Sequence, residues 1–296
     1  MNLLRSSLVL VAASSSVFSF AFSRVIVFGD SLSDAGNVHG LTFGLYPPAP
    51  YWNGRFSNGP TWVEGFATDL GHSAQRSWSG GTNYAYGGAE ANTNSALSGQ
   101  LTPNVGTQIG SFSSGDSFTG DELVVVLAGA NDFFEGNTNG TQVAGFMNTH
   151  FNTLYGLGAR NFLIGNIPDL GLTPSYLGGV DQAAATQFTS DFNTALSGHI
   201  TSLQGQSGVS VVRLDLYQIF VDIMANPGAF GLSNVTQSFL DTGGNPDDFL
   251  FWDTVHPTRQ VHQIARERAL AAVPEPASMV GLGALGLLAL RRRKRA

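Results

Sequence analysis

Four short runs rich in apolar residues recur along the chain, largely without the polar–apolar alternation of a half-exposed strand. These runs are residues 25–28, 123–127, 161–164 and 209–214. A strand that is apolar on both sides has to be covered on both faces, which is typical of parallel sheets. Helix-like segments separate and follow the runs, at residues 61–70, 141–157, 181–203, 217–225 and 258–271. This order predicts an α/β fold with a mostly parallel sheet and helices on both faces.

The 296 residues leave room for one large α/β domain or two small ones. We find no linker composition and no internal repeat between residues 24 and 272, so we expect a single domain there. In such sheets the ligand crevice lies beyond the carboxyl ends of the strands. Two stretches rich in Gly, Asn and Ser, residues 79–120 and 226–250, are expected to be long loops over that crevice.

Missing residue types exclude several kinds of chemistry. The chain has no Cys, which excludes disulfides, thiol nucleophiles and Cys-ligated metal sites. Its one Lys is Lys294, which excludes a Schiff-base lysine, a Ser-Lys dyad and a phosphate-loop lysine in the body. Eight Arg and 20 Asp or Glu between residues 24 and 273 give the body a net charge of −12. Such an acidic body disfavours nucleic-acid binding.

The amino-terminal 23 residues read as a secretory signal peptide. Arg5 precedes an apolar run, and residues 21–23 form a small-x-small cleavage site. A buried helix is the alternative, but the Ser run at residues 14–16 and the β-branched sequence directly after the cleavage site argue against it. We therefore place the signal peptide at residues 1–23 and the start of the folded domain at residue 24.

The carboxyl-terminal tail, residues 273–296, combines Val-Pro-Glu-Pro, an apolar run at residues 277–290 and five basic residues. Fourteen apolar residues rise about 21 Å as a helix, which is short of the ~30 Å hydrocarbon core of a bilayer. The tail resembles the PEP-CTERM sorting signal of Gram-negative bacteria, which implies a membrane-bound sorting and processing enzyme as a partner. An ordinary single-span anchor is the alternative. Both place the body outside the cytoplasm, at the cell surface or in the extracellular medium.

Four polar or glycine-rich blocks lie where the strands are expected to deliver residues to the crevice. They are residues 29–37, 80–89, 129–132 and 252–258. Ser31, directly after the first strand, is presented at the sheet edge, and the glycines of the second block suit an N–H aimed at an oxyanion. Asn131 is a candidate oxyanion donor, with an Asx turn as its alternative role. Taken singly, each block also has a plain interpretation as a turn or a helix cap.

The fourth block contains Asp253 three residues before His256. At this spacing the carboxylate reaches the imidazole Nδ1–H and fixes its tautomer, which leaves Nε2 free to take a proton from Ser31. Together the four blocks supply a nucleophile, oxyanion donors and an acid–base pair.

With these four blocks, residues 25–272 resemble the GDSL, or SGNH, hydrolase family of esterases and lipases. The most specific matches are Gly-Asp-Ser-Leu-Ser-Asp-Ala-Gly-Asn at residues 29–37 and Phe-Trp-Asp-Thr-Val-His-Pro-Thr at residues 251–258. Residues 54–59 and 166–171 are similar to connecting segments of the lecithinase/haemolysin and plant-lipase-like branch. The resemblance implies a three-layer α/β/α, flavodoxin-like fold with a mostly parallel sheet, and no metal or organic cofactor.

The same resemblance implies a role for each matching residue. Ser31 would be the nucleophile, His256 the general base and then acid, and Asp253 the partner that orients the imidazole. The groups implied for the oxyanion hole are the backbone N–H of Ser31, the backbone N–H of Gly88 and the side-chain amide of Asn131. Gly87 replaces Gly88 if the loop register differs by one residue.

We therefore expect an exported, monomeric serine esterase or lipase that hydrolyses carboxylic esters through an acyl-enzyme. Its substrate would be a small-molecule, lipid or acylated-polysaccharide ester. Two alternatives stay open: a non-catalytic surface or matrix protein that binds polysaccharide, and a polysaccharide deacetylase or acyltransferase with the same site. Ser73 is assigned to a surface turn, because the last Gly of a nucleophile elbow is missing there and no strand precedes it. Four aromatic residues are expected to line an acyl pocket or to pack in the core: Tyr51, Trp52, Phe56 and Trp62.

Overall fold

The computed structural model describes residues 22–92 and 102–274. Its main sheet contains four strands, in the order β1 (Val25–Gly29), β2 (Leu123–Leu127), β3 (Asn161–Gly165) and β4 (Ser210–Leu214). All neighbouring pairs are parallel, with Val25 opposite Leu123 and Leu123 opposite Asn161. The expected mostly parallel sheet is therefore confirmed. Residues 1–21 of the expected signal peptide and residues 275–296 of the expected sorting tail lie outside the described residues.

The helices within the described ranges are α1 (Asn37–Leu41), α2 (Trp62–Asp69), α3 (Val105–Ser113), α4 (Ala130–Phe134), α5 (Gly140–Gly156), α6 (Gln182–Gln204), α7 (Leu216–Ala225), α8 (Phe239–Thr242) and α9 (Arg259–Ala272). The five helices that the sequence predicts are α2, α5, α6, α7 and α9. Thr61, Asp181 and Thr258 occupy the N-cap positions of α2, α6 and α9 rather than their first helical positions. Thr61 forms a capping box with Glu64, whereas the side chains of Asp181 and Thr258 make no capping hydrogen bond. In the part of the chain that the structure describes, no helix combines the length and the apolar character needed to cross a bilayer.

Helices cover both faces of the main sheet. Ile26 and Phe28 of β1 face one side, where they belong to a buried cluster with apolar residues of α3, α5 and α6. Val25 and Val27 face the other side and belong to a second cluster with residues of α2, α7 and α9. The alternation along β1 follows from the pleat of a strand, in which successive side chains point to opposite faces. The result is the three-layer α/β/α arrangement that the sequence predicts.

Part of the glycine-rich stretch at residues 79–120 pairs with the main sheet. The N–H of Val27 donates to the carbonyl of Thr82 at 3.0 Å, and the N–H of Tyr84 donates to the carbonyl of Val27 at 2.7 Å. The same stretch also contains α3. The expectation of one long loop was wrong here, because the open edge of β1 presents backbone donors and acceptors that have to be satisfied.

The stretch at residues 226–250 is also more regular than expected. It contains β5 (Asn234–Ser238) and α8, and it leads into β6 (Phe249–Phe251). β5 and β6 pair in parallel as a separate two-stranded sheet with a register irregularity. β6 is buried along its whole length, and the block at residues 252–258 follows it directly. This block therefore starts from a fixed strand rather than from a loop.

Candidate active site

Ser31 lies two residues past the end of β1, at the carboxyl edge of the main sheet. Its Oγ is 2.8 Å from Nε2 of His256, which lies 225 residues further along the chain. The turn that carries Ser31 is held by Gln108 on α3, whose side-chain amide forms hydrogen bonds of 2.8 Å with both the N–H and the carbonyl of Gly29. Nothing in the sequence links Gln108 to Gly29, so this support was not predicted.

The second nitrogen of the His256 ring, Nδ1, lies 2.7 Å from Oδ2 of Asp253. Oδ1 of the same carboxylate accepts the backbone N–H of Val255 at 2.9 Å and that of His256 at 2.7 Å. Because an ionised carboxylate only accepts hydrogen bonds, Nδ1 carries the proton and Nε2 accepts from the Ser31 hydroxyl. The structure thus brings Ser31, His256 and Asp253 into one hydrogen-bonded series, which is the geometry that a serine nucleophile and its base require.

Tyr51 makes a contact with this series that the sequence analysis missed. Its hydroxyl donates a hydrogen bond of 2.6 Å to Oδ2 of Asp253, across 202 residues of sequence. From the sequence, Tyr51 was expected to line an acyl pocket or to pack in the core. No spacing or motif around Tyr51 signals the contact.

The other three aromatic residues have different environments. Phe56 is buried, and its ring centroid lies 5.3 Å from that of His256. Trp62, the first residue of α2, is buried in the core, which agrees with a packing role. Trp52 is 39% exposed. Phe56 is therefore the apolar residue of this group that contacts the imidazole.

Gly87 and Gly88 differ in how their backbone N–H groups are used. Gly87 donates to Oδ2 of Asp34 at 3.0 Å, and a Cβ on Gly87 would lie 2.0 Å from the ring of Phe56. Gly88 has a φ of 80°, a conformation that favours glycine. Neither the N–H of Gly88 nor that of Ser31 has an acceptor within residues 22–92 and 102–274. Both groups are available to a ligand, whereas the N–H of Gly87 is not.

Asn131 lies in the first turn of α4, beyond the end of β2. Its Nδ2 donates to the carbonyl of Ala89 at 2.9 Å, and the second hydrogen of this amide has no acceptor among the described residues. The neighbouring Asp132 is buried and accepts the N–H of Ala91 at 2.8 Å. These two contacts hold the segment after Gly88 against α4, so the Gly88 N–H and the Asn131 amide are fixed relative to each other.

The blocks at residues 29–37 and 80–89 are joined by buried polar side chains. Asn37 Nδ2 donates to the carbonyls of Asn83 at 2.7 Å and Ala85 at 2.9 Å. Asn83 Nδ2 donates in the other direction, to the carbonyl of Ser33 at 2.7 Å. The Asp34 carboxylate accepts the backbone N–H groups of Gly36, Asn37, Val38 and Gly87. We call these contacts the Asp34–Asn37–Asn83 network. The roles of its three side chains were not predicted from the sequence.

Burial acts on the pKa values of the carboxyl groups at the site, with opposite net results for Asp30 and Asp253. It raises the pKa of Asp30 to about 7, and the hydrogen bond from the Leu32 N–H and the charge of His256 oppose the shift only in part. Burial also acts to raise the pKa of Asp253. There, however, the charge of His256 and the hydrogen bonds from His256 and Tyr51 prevail and lower the pKa to about 2. Asp253 is therefore ionised at neutral pH, whereas Asp30 changes between its protonated and ionised forms near pH 7.

Outside the Ser31 site, the structure contains a cleft of about 620 Å³. Its lining includes Ser73, Arg55 and Arg76 but neither Ser31 nor His256. Ser73 is exposed and lies outside the helices and strands, which agrees with its assignment to a surface turn. Within the described ranges, no group of three or more His, Asp or Glu side chains lies close enough together to hold a metal ion.

Residues 25–269 match the family described as GDSL-like Lipase/Acylhydrolase, and residues 272–295 match the PEP-CTERM protein-sorting motif. The chain is 29% identical over 314 residues to a phosphatidylcholine-sterol acyltransferase of Aeromonas hydrophila, covering 87% of this chain and 90% of that protein. It is 28% identical over 300 residues to Esterase EstA of Pseudomonas aeruginosa, covering 80% of this chain but 44% of that esterase. A solved structure of a lipolytic protein of the G-D-S-L family from Veillonella parvula has a TM-score of 0.50 and 16% identity, covering 84% of this chain and 96% of that one. This likeness supports the three-layer fold.

Asp30 is expected to make the protein less stable as the pH rises. Its pKa is about 7 in the folded protein, against an ordinary value of 3.8, so the folded state binds a proton more tightly than the unfolded state does. The stabilisation is complete below the lower value and is lost as the pH rises through the higher one. The side chain of Asp30→Asn cannot ionise. As the pH rises from the lower to the higher pKa value, the free energy of unfolding of this variant should therefore fall by roughly 1–4 kcal/mol less than that of the wild type. Urea denaturation at a series of pH values measures the difference, and parallel profiles for the two proteins would contradict it.

Proposed function

The chain is a hydrolase of ester bonds that belongs to the GDSL-like lipase/acylhydrolase family, and we propose that it works as an exported serine esterase or lipase. The proposed catalytic residues are Ser31, His256 and Asp253. The observation that carries the proposal is their hydrogen-bonded series, with distances of 2.8 Å from Ser31 to His256 and 2.7 Å from His256 to Asp253. A non-catalytic polysaccharide-binding role, one of the two alternatives from the sequence, does not agree with an ester-bond hydrolase.

In the first half of the proposed reaction, Ser31 Oγ attacks the ester carbonyl carbon while His256 Nε2 accepts the hydroxyl proton. Asp253 holds the Nδ1–H tautomer and stabilises the imidazolium that forms. The low pKa of Asp253, about 2, supports this role, because the carboxylate keeps its charge at neutral pH. His256 then gives the proton to the leaving alkoxide, and the acyl group stays on Ser31.

The oxyanion of each tetrahedral intermediate is proposed to be held by the N–H of Ser31, the N–H of Gly88 and the side-chain amide of Asn131. Their availability supports this assignment, since none of the three hydrogens has an acceptor in the described part of the chain. Gly87 is not proposed, because its N–H already donates to Asp34. Such donors stabilise charge as it develops in the transition state and contribute about 10²–10³ each to the rate.

In the second half of the reaction, water attacks the acyl-enzyme, and His256 transfers the water proton to Ser31. An alcohol in place of water gives acyl transfer, which is the second candidate function. The similarity to a protein named phosphatidylcholine-sterol acyltransferase favours this candidate. A phospholipid substrate offered together with a sterol separates the two functions, because transfer forms a steryl ester and hydrolysis forms a free fatty acid.

The PEP-CTERM motif at residues 272–295 indicates export and C-terminal sorting in a Gram-negative bacterium. We propose a signal peptide at residues 1–23, an esterase domain at residues 24–272 and a sorting tail at residues 273–296. The end of α9 at Ala272 supports the second boundary. In this proposal the tail anchors the domain on the outer side of the membrane until a sorting enzyme removes it, and an acylated polysaccharide remains among the proposed substrates.

Replacing the proposed nucleophile should abolish activity. We expect Ser31→Ala to lower kcat on p-nitrophenyl butyrate by roughly 10⁶-fold and to prevent labelling by a fluorophosphonate probe. Ser73→Ala is the matched control, because Ser73 lies in the separate cleft and its sequence only resembles a nucleophile elbow. It should keep both activity and labelling. Labelling of Ser31→Ala, or its loss in Ser73→Ala, would mean that the nucleophile has been assigned to the wrong serine.

Removing one oxyanion donor should lower kcat and leave KM nearly unchanged. We expect Asn131→Ala to lose about 10²–10³ in kcat, because the lost hydrogen bond strengthens in the transition state. Asn152→Ala is the control: Asn152 is exposed on α5, and its amide donates to the carbonyl of Asn148. Steady-state kinetics on a soluble ester measure both variants. An Asn131→Ala enzyme with wild-type kcat would remove Asn131 from the oxyanion hole.

A further inference from the structure

An exposed apolar loop follows α1, close to the proposed catalytic residues. We call residues 42–52 the apolar loop. Its most exposed large side chains are Phe43, Leu45 and Tyr46, at 88%, 77% and 54% of full exposure, and Trp52 at its end is 39% exposed. Phe43 also has a φ of 54°, a conformation that bulky residues rarely adopt. Neither packing nor backbone preference explains a phenylalanine at this position.

The apolar loop carries no charge, whereas the body as a whole is acidic. Residues 35–54 contain no Asp, Glu, Lys or Arg, although the body has a net charge of −12. A charge-free segment can enter the interfacial region of a lipid layer without the cost of removing ions from water. The acidic body, in turn, is repelled by anionic lipids. The charge pattern therefore suits a lipid surface without net charge.

The apolar loop is also in contact with the catalytic centre. The Tyr46 ring packs edge-on against Phe56, with 5.7 Å between centroids, and the Phe56 ring lies 5.3 Å from that of His256. Tyrosine and tryptophan favour the boundary between water and hydrocarbon, whereas phenylalanine and leucine favour its apolar side. Tyr46 and Trp52 are less exposed than Phe43 and Leu45. The purely apolar side chains of the loop are therefore its most exposed ones.

We propose that the apolar loop is a docking surface for assembled ester lipids whose headgroups carry no net charge, such as phosphatidylcholine. Docking places the Ser31 site at the surface of the lipid layer. The proposal takes its substrate class from the proposed esterase function, but the docking itself needs no catalysis. It therefore can be tested on a protein that cannot turn over lipid.

The absence of Cys makes a local test possible. Phe43→Cys in a Ser31→Ala background of the full chain provides one thiol for an environment-sensitive fluorophore. With vesicles of dioleoylphosphatidylcholine, the emission should shift to the blue and increase. Leu157→Cys in the same background is the control. Leu157 is also exposed, but it lies between α5 and β3, at the edge where the strands begin and opposite to Ser31.

Several results would overturn the proposal. One is an unchanged emission at Phe43→Cys, and another is an equal response at Leu157→Cys, which would mean adsorption through another part of the chain. A response that depends on protein concentration without vesicles would identify a second copy of the chain as the occupant. A response to phosphatidylglycerol vesicles alone would contradict the choice of an uncharged surface. Because Ser31 is absent, failure of the esterase proposal cannot produce any of these results.

Kinetics on the active enzyme provide a second measurement. For a Phe43→Ser and Leu45→Ser double variant, the ratio of kcat/KM on phosphatidylcholine vesicles to kcat/KM on soluble p-nitrophenyl acetate should fall about tenfold or more. Leu157→Ser should leave this ratio unchanged. A double variant with the wild-type ratio would overturn the proposal. A wild-type protein that is inactive on both substrates would instead count against the esterase function.

A separate observation concerns the base of the same loop. Tyr51 and His256 Nδ1 both donate to Oδ2 of Asp253, at 2.6 and 2.7 Å, while two backbone N–H groups donate to Oδ1. The Tyr51 hydroxyl is a suitable lasting donor because burial raises its pKa, so it stays protonated. We infer that Tyr51 is a positioning residue, which acts on His256 by holding Oδ2 of Asp253 at hydrogen-bond distance from Nδ1.

Tyr51→Phe tests this inference, since it removes the hydroxyl and keeps the ring. We expect kcat on soluble p-nitrophenyl acetate to fall about tenfold or more, with KM nearly unchanged, as for the loss of a hydrogen bond to a charged group. The low-field proton resonance of His256 Nδ1–H should also move, because Oδ2 loses its second donor. Tyr155→Phe is the control, because the Tyr155 ring packs on Arg160, away from Asp253. Wild-type kcat, or a fall in kcat with an unmoved resonance, would overturn the positioning role.

Discussion

The parallel pairing of buried strands is the constraint on which the rest of the molecule depends. Each strand of the main sheet satisfies its backbone groups with a neighbour, and β1 and β2, which are buried along their whole length, need a cover of helices on both faces. The chain therefore crosses back after every strand, and all four strands end at the same edge. This geometry brings Ser31 after β1 and Asn131 after β2 to one edge, although α3 lies between them in the sequence.

Buried polar groups then fix the loops at that edge. A buried donor or acceptor without a partner costs more than a made hydrogen bond gains, so the Asp34–Asn37–Asn83 network tolerates little rearrangement. It also determines which backbone groups stay open, since Asp34 takes up the N–H of Gly87 and leaves that of Gly88 without a partner in the described residues. The geometry of the candidate oxyanion hole is thus a consequence of side chains that would not themselves touch a substrate.

The apolar loop extends from the proposed catalytic residues to the protein surface. Its base is tied to the site by the hydroxyl of Tyr51, and its most exposed side chains face solvent. Both features belong to one segment, residues 35–54, that contains no Asp, Glu, Lys or Arg. The lipid-docking role of the exposed side chains and the positioning role of Tyr51 are therefore proposed for the same segment. Each proposal rests on its own contacts.

Local signals in the sequence predicted the four strands of the main sheet, five of the helices, and the pairing of Asp253 with His256, which lie within one turn of each other. They also determined Ser31 as the candidate nucleophile, because it directly follows a strand. The tertiary structure alone decided that Gly88 rather than Gly87 has an open N–H, that Tyr51 reaches Asp253, and that residues 82–86 extend the sheet. The physical reason is separation along the chain: periodicity and spacing report a residue's nearest neighbours, whereas these contacts form between segments that only the packing of helices on the sheet brings together.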